Sequence, residues 1–89
     1  MRMFCFHCRD GEDGGRLRAL HRPAHLDFVH ANAEHFVIVG PLKRADGLII
    51  GSLLIVKAAD EAAARAILAD DPYLTGGVWQ LIRVDEFTP

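Results

Sequence analysis

Leu48-Ile49-Ile50-Gly51-Ser52-Leu53-Leu54-Ile55-Val56-Lys57 is the stretch from which the fold can be read. The Asp46-Gly47 pair just before it is a hairpin turn signal, within a connection running from Lys43 to Gly47. On the other side of that turn Phe36-Val37-Ile38-Val39 is β-branched and ends at Gly40-Pro41, which predicts the partner strand. Side chains on a strand alternate between faces. Leu53 and Ile55 therefore fall on one face and Leu54 and Val56 on the other, and both faces are apolar. A strand of this kind is expected to be covered on both sides.

Working outward, Met3 to Cys8 is an aromatic-rich strand that runs into a polar, glycine-containing loop from Arg9 to Gly15. A helical stretch follows, roughly Arg16 to Asn32, with Leu26 and Val29 at i, i+3 spacing. Pro23 falls inside it, and proline suits only the first turn, so the regular helix is expected to start near Arg22-Pro23. Asp60 caps an alanine-rich helix, Glu61 to Ala69, whose Ala63 and Ala64 are extended by Ile67 and Leu68 one turn on. That helix must end by Asp71, because Pro72 follows. After Gly76-Gly77, Val78 to Val84 reads as the last strand, with Val78, Gln80, Ile82 and Val84 on one face.

The order βαββαβ predicts an α+β, ferredoxin-like domain over residues 1–89: a four-stranded antiparallel sheet with two helices on one face. Two helices cover one face only. The second apolar face of the third strand needs a cover, and a second copy packing sheet on sheet is the simplest source. A homodimer is the expectation.

Composition narrows the function. Eighty-nine residues, 51% hydrophobic and 25% charged, are too few for a two-domain enzyme and too apolar for a disordered chain. A net charge of −2 argues against a nucleic-acid partner. The N-terminus has neither a long apolar core nor a small-residue cleavage site, and the apolar run from Leu48 to Val56 is far short of a membrane span. Two cysteines are too few for a disulfide scaffold, so a cytoplasmic protein with reduced thiols is expected.

Among chemistry-bearing residues, Cys5 and Cys8 have a C-x-x-C spacing, but i and i+3 on a strand face opposite ways and cannot share a metal. His21 and His25 are four apart, a spacing that can chelate. Arg22 stands where a metallohydrolase would carry Glu, however, and Pro23 disturbs the turn. No metal site is assigned. In a helix beginning at Pro23, His25 would lie in the first turn, where the dipole keeps an imidazole neutral and fit to act as a base. The plain alternative is a surface histidine. Asp70-Asp71 would close a helix at its negative end with no visible compensation, a local conflict that points to function or to a solvated turn. A carboxylate close to His25 would fix its tautomer. Ser52 is a polar break in an apolar strand, suited to a ligand or to a cross-strand hydrogen bond. Gly40-Pro41 lets a backbone approach closely or ends a strand.

Arg22-Pro23-Ala24-His25-Leu26, Gly40-Pro41, Gly51-Ser52, Asp71-Pro72-Tyr73 and Gly77-Val78 occur in the order seen in the YciI-like (YCII-related) family, which the chain resembles over nearly its whole length. The resemblance implies a ferredoxin-like fold pairing into a dimeric α+β barrel. It implies that His25 and Asp71 correspond to an acid–base pair in a cleft, and that Gly51-Ser52 corresponds to a recurring Gly-Ser. One branch of the family removes chloride from a chlorinated hydroxyhydroquinone, and related barrels isomerise muconolactones. The short hairpin and the Cys5/His7 pair depart from that pattern. The resulting expectation is a cofactor-independent lyase, isomerase or dehalogenase acting on a small cyclic or phenolic metabolite. His25 and Asp71 would move the proton, and Arg22, Ser52, Tyr73 and Gly40 would bind substrate. The competing readings are a non-catalytic small-ligand module and a metal-binding protein using His21, His25 and Cys5 or His7.

Overall fold

In strand β1 (Arg2–Asp10) Phe4, Phe6 and Cys8 are buried on one face, while Cys5 is half-buried and His7 exposed on the other. This alternation seeds a sheet with β2 (Phe36–Lys43), β3 (Ile49–Ala58) and β4 (Trp79–Phe87), in the order β2-β3-β1-β4 with every pair antiparallel. Helices α1 (Gly14–Ala31) and α2 (Glu61–Leu68) and the single turn α3 (Pro72–Thr75) complete the chain. The computed structural model describes residues 1–89, and its architecture is the ferredoxin-like α+β arrangement expected from the element order.

The core lies on the Phe4 face. Phe4, Phe6, Leu54, Val56, Leu68 and Val78 are each at most 2% exposed, and burying a side chain of that size is worth about 1.5–3 kcal/mol. Register brings the right residues together: Phe4 stands opposite Val56, Phe6 opposite Leu54, and Cys8 opposite Ser52. The Asp60 carboxylate caps α2 by accepting from the Ala63 backbone N–H at 2.8 Å, and Ala64 and Leu68 turn inward as expected. The β2–β3 turn places Gly47 at φ +88°, a conformation that favours glycine.

Four local expectations are corrected. First, α1 begins at Gly14, and Pro23 sits inside it. A proline there deletes the hydrogen bond to the Ala19 carbonyl, and packing against α3 holds the helix together regardless. Second, β2 does not end at Gly40-Pro41 but continues to Lys43, with Pro41 opposite Ser52. The strand lies at the sheet edge, where a missing N–H is tolerated. Third, Asp70-Asp71 is followed at once by α3, so Asp71 caps a new helix start. Fourth, a register shift at Arg9/Asp10 sets Trp79 opposite Asp10, so Trp79 turns into the core while Gln80 is exposed.

The other sheet face is uncovered within one chain. Ile55 is buried among its strand neighbours, but Ile38 and Leu81 are 51% and 62% exposed. No helix is long and apolar enough to cross a membrane.

Candidate functional site

Arg18, Arg22 and His25 follow one another at i, i+4 and i+7, which places them on a single stripe of α1. That stripe, β2, β3 and α3 enclose a cleft of about 350 Å³ lined by, among others, Arg18, Arg22, His25, Gly40, Ser52 and Tyr73. The volume is that of a small-molecule site.

At the inner wall the His25 Nδ1 and Asp71 Oδ1 atoms are 2.8 Å apart, in a pair whose side chains are 7% and 0% exposed. Asp71 Oδ1 also accepts the Tyr73 backbone N–H at 2.9 Å, an Asx-type bond that begins α3 and aims the carboxylate. A carboxylate only accepts, so the neutral ring carries its proton on Nδ1 and leaves Nε2 with a lone pair. The Asp71 Oδ2 atom is the one buried side-chain polar atom without a partner. Nε2 of His25 also has no partner within the protein, so it is not sealed off and opens on the cleft. The Tyr73 ring stacks on the imidazole, with centroids 3.8 Å apart and planes 6° from parallel, and Trp79 meets both rings edge-on. The imidazole is thus held on its face, its edge and one nitrogen.

The helix dipole does not act on His25 as expected, because the residue lies three turns into α1 and the dipole acts within the first turn. Asp71 fills the orienting role on its own.

A second polar group adjoins the first. The Arg18 guanidinium grips Asp10 with Nε to Oδ2 at 2.6 Å and Nη2 to Oδ1 at 2.9 Å, and both side chains are nearly buried. Nη2 also donates to the Ser52 hydroxyl oxygen at 2.7 Å, and the Trp79 indole N–H donates to the same oxygen at 3.2 Å. The guanidinium lies 5.0 Å from the Tyr73 ring centre, an arrangement worth about 0.5–2 kcal/mol. Arg18, Asp10 and Trp79 had no place in the sequence reading. One signal was available: Asp10 continues the inward alternation of Phe4, Phe6 and Cys8, and a carboxylate in that position needs a partner.

Of the residues read from sequence, His25, Asp71, Ser52 and Tyr73 come together. Arg22 is exposed at the cleft mouth. Gly40 lines the cleft, but a Cβ built there meets nothing within 4 Å, so packing does not demand glycine. The adjoining Gly51 is demanded: its Cβ would overlap the Cys8 carbonyl oxygen. Cys5 and His7 lie on the opposite face of the sheet from His25, so they do not join His21 and His25 around a metal. The buried Cys8 thiol is pushed up to about 12, chiefly by burial and then by the Asp71 charge, which removes it from thiolate chemistry.

A family model of the YCII-related domain matches residues 1–88. The chain belongs to the YCII-related family. No curated protein matches it in sequence. Among solved structures, this YCII-related chain is similar to 5-chloro-2-hydroxyhydroquinone dehydrochlorinase from Burkholderia phenoliruptrix AC1100, solved in complex with 2,5-dihydroxybenzoquinone. The TM-score is 0.86 at 21% identity, over 97% of this chain and 93% of that one. It is also similar to a candidate antibiotic biosynthesis monooxygenase from Bacteroides thetaiotaomicron, with TM-score 0.57 and 16% identity over 100% and 88% of the two chains. Rv0793 from Mycobacterium tuberculosis follows at TM-score 0.50 and 11% identity, over 99% and 93%. These likenesses show the fold alone.

Proposed function

We propose that this YCII-related chain is a small-molecule enzyme in which His25 takes a proton from a compact cyclic or phenolic substrate and returns it. The observation that carries the reading is the buried His25–Asp71 pair, 2.8 Å apart, with Nε2 free at a cleft of about 350 Å³. Asp71 fixes the Nδ1–H tautomer and balances the charge of the imidazolium formed when Nε2 takes the proton. Ser52, Tyr73 and Arg22 hold substrate oxygens, and Gly40 leaves room beside them. Dehydrochlorination, isomerisation and lyase chemistry all begin with such a proton transfer. The related dehydrochlorinase makes chlorinated hydroxyhydroquinones the first substrates to try. The chain would work as a homodimer, a second copy covering the apolar sheet face that carries Ile38, Ile55 and Leu81. A reducing cytoplasm suits its two free cysteines.

The test is turnover of a panel of chlorinated hydroxyhydroquinones, phenols and lactones by the wild type and by His25→Ala. A positioned general base contributes about 10²–10⁴-fold, so kcat is expected to fall by that factor in the variant. Turnover that is unchanged in His25→Ala removes His25 from the mechanism. A wild type that turns over nothing yet binds panel members is a ligand-binding module.

A further inference from the structure

A serine hydroxyl has two acceptor lone pairs and one proton to donate. Both lone pairs are taken, one by Arg18 Nη2 at 2.7 Å and one by Trp79 Nε1 at 3.2 Å, and neither of those groups can accept. The Ser52 proton therefore has to go elsewhere. No protein acceptor takes it, and the side chain, 3% exposed, borders the cleft. Arg18 is in the same position. Asp10 and Ser52 engage its Nε and Nη2, while Nη1 has no partner in a side chain that lines the cleft. The two carboxylates nearby offer the ligand nothing, because Asp10 is held by Arg18 and Asp71 is fully buried. Ser52 and Arg18 thus each keep an N–H or O–H to give, and His25 Nε2, on a residue lining the same cleft, keeps a lone pair.

We infer that Ser52 Oγ–H and Arg18 Nη1–H form an oxyanion-binding pair, and that the substrate class is a small phenolate, enolate or conjugated ketone. This rests on the proton-transfer reading above and extends it. When Nε2 takes a proton from the carbon or hydroxyl of such a molecule, that C–H or O–H bond breaks and an N–H bond forms. The released electron pair moves through the conjugated system onto the oxygen that Ser52 and Arg18 hold. Donors fixed in advance on a developing oxyanion lower the barrier because nothing has to reorganise. Asp10 supplies that rigidity by gripping Arg18 through two bonds, and Trp79 orients the hydroxyl.

The experiment is equilibrium binding of 4-nitrophenol, whose phenol and phenolate absorb at different wavelengths, beside its uncharged methyl ether 4-nitroanisole. The wild type is expected to bind the phenolate form at least tenfold more tightly than the ether, and the bound dye to show the phenolate spectrum. One charge-assisted hydrogen bond is of that size. Ser52→Ala and Arg18→Lys are each expected to weaken phenolate binding about tenfold or more and ether binding by less. Equal binding of the two compounds by the wild type overturns the inference, and that comparison needs no variant to fold. Equal phenolate affinity in wild type and a folded variant overturns it as well. Measured at a pH where the free dye is already the phenolate, the equilibrium needs no transfer to His25, so the base assignment stands or falls separately, on turnover by His25→Ala.

Discussion

Ser52→Ala is the sharpest perturbation of this site, because it removes one acceptor and strands two donors of unequal need. The Trp79 indole N–H, 3.2 Å from Ser52 Oγ, belongs to a residue that is 5% exposed and has no other partner. A buried donor left unsatisfied costs about 1–3 kcal/mol. Arg18 loses less. It keeps both bonds to Asp10, at 2.6 and 2.9 Å, and its freed N–H can reach water through the cleft, which makes its share roughly 0.5 kcal/mol. The sum is about 1.5–3.5 kcal/mol, or a Tm lower by roughly 6–28 °C for a domain of this size. A double-mutant cycle with Trp79→Phe isolates the indole term: in the phenylalanine background Ser52→Ala should cost only about 0.5–1 kcal/mol. Trp79 is the sole tryptophan, so urea unfolding is followed by far-UV circular dichroism in all four proteins, at one protomer concentration. A Ser52→Ala loss that is the same in both backgrounds, or below about 0.5 kcal/mol in the first, refutes the assignment of both Ser52 lone pairs and the oxyanion argument built on it.

Three further outcomes are expected. Gly51→Ala forces a methyl group into the Cys8 carbonyl, where neither strand can yield without breaking the β1–β3 ladder, so it should destabilise by at least about 1–3 kcal/mol; a Tm within 2–3 °C of wild type would contradict this, the shift being about 4–8 °C per kcal/mol. The folded Cys8 thiol is raised from 9.0 to about 12, so its protonated form adds stability that is complete below pH 9 and is lost as pH climbs towards 12. Thermal melts should therefore fall between pH 9 and 11 by about 1.4 kcal/mol per pH unit from this group, and Cys8→Ala should flatten that limb relative to its own value at pH 8. Leu81→Glu on the open sheet face should leave a monomer well folded but halve the particle mass if a second copy covers that face; light scattering that gives the 9.8 kDa monomer for the wild type already would end the dimer proposal.

The element order and the His25–Asp71 pairing were both legible in the sequence, for different reasons. Period-two alternation in Phe4, Phe6 and Cys8 and in Leu53 to Val56 depends on nothing beyond the strand itself. The Asp46-Gly47 turn and the Asp60 cap are equally local, and both appear as read. The pairing of His25 with Asp71, by contrast, spans 46 positions and became visible only through the family resemblance. The helix dipole has no part in it, because helix propensity and packing against α3 carry α1 through Pro23 and leave His25 far from the helix start.

What stayed hidden traces to one irregularity. Had β1 and β4 kept a single register, Gln80 would follow Ile82 and Val84 into the core and Trp79 would point out. The shift at Arg9/Asp10 inserts one residue into β4, sends Gln80 to solvent and sets Trp79 against Asp10. Bulges commonly re-aim side chains beside functional sites. Here the re-aimed indole closes the hydrogen-bond circuit of Ser52 and gives the imidazole of His25 an aromatic edge at 6.5 Å. A strand pattern cannot announce a bulge, since it is the partner strand that decides where the extra residue goes. Yet the core-facing Asp10 required a partner, Arg18 required an orientation, and the hydroxyl between Arg18 and Trp79 was left with a single proton to give. One inserted residue in β4 thus decides that the Ser52 hydroxyl gives a hydrogen bond to the cleft.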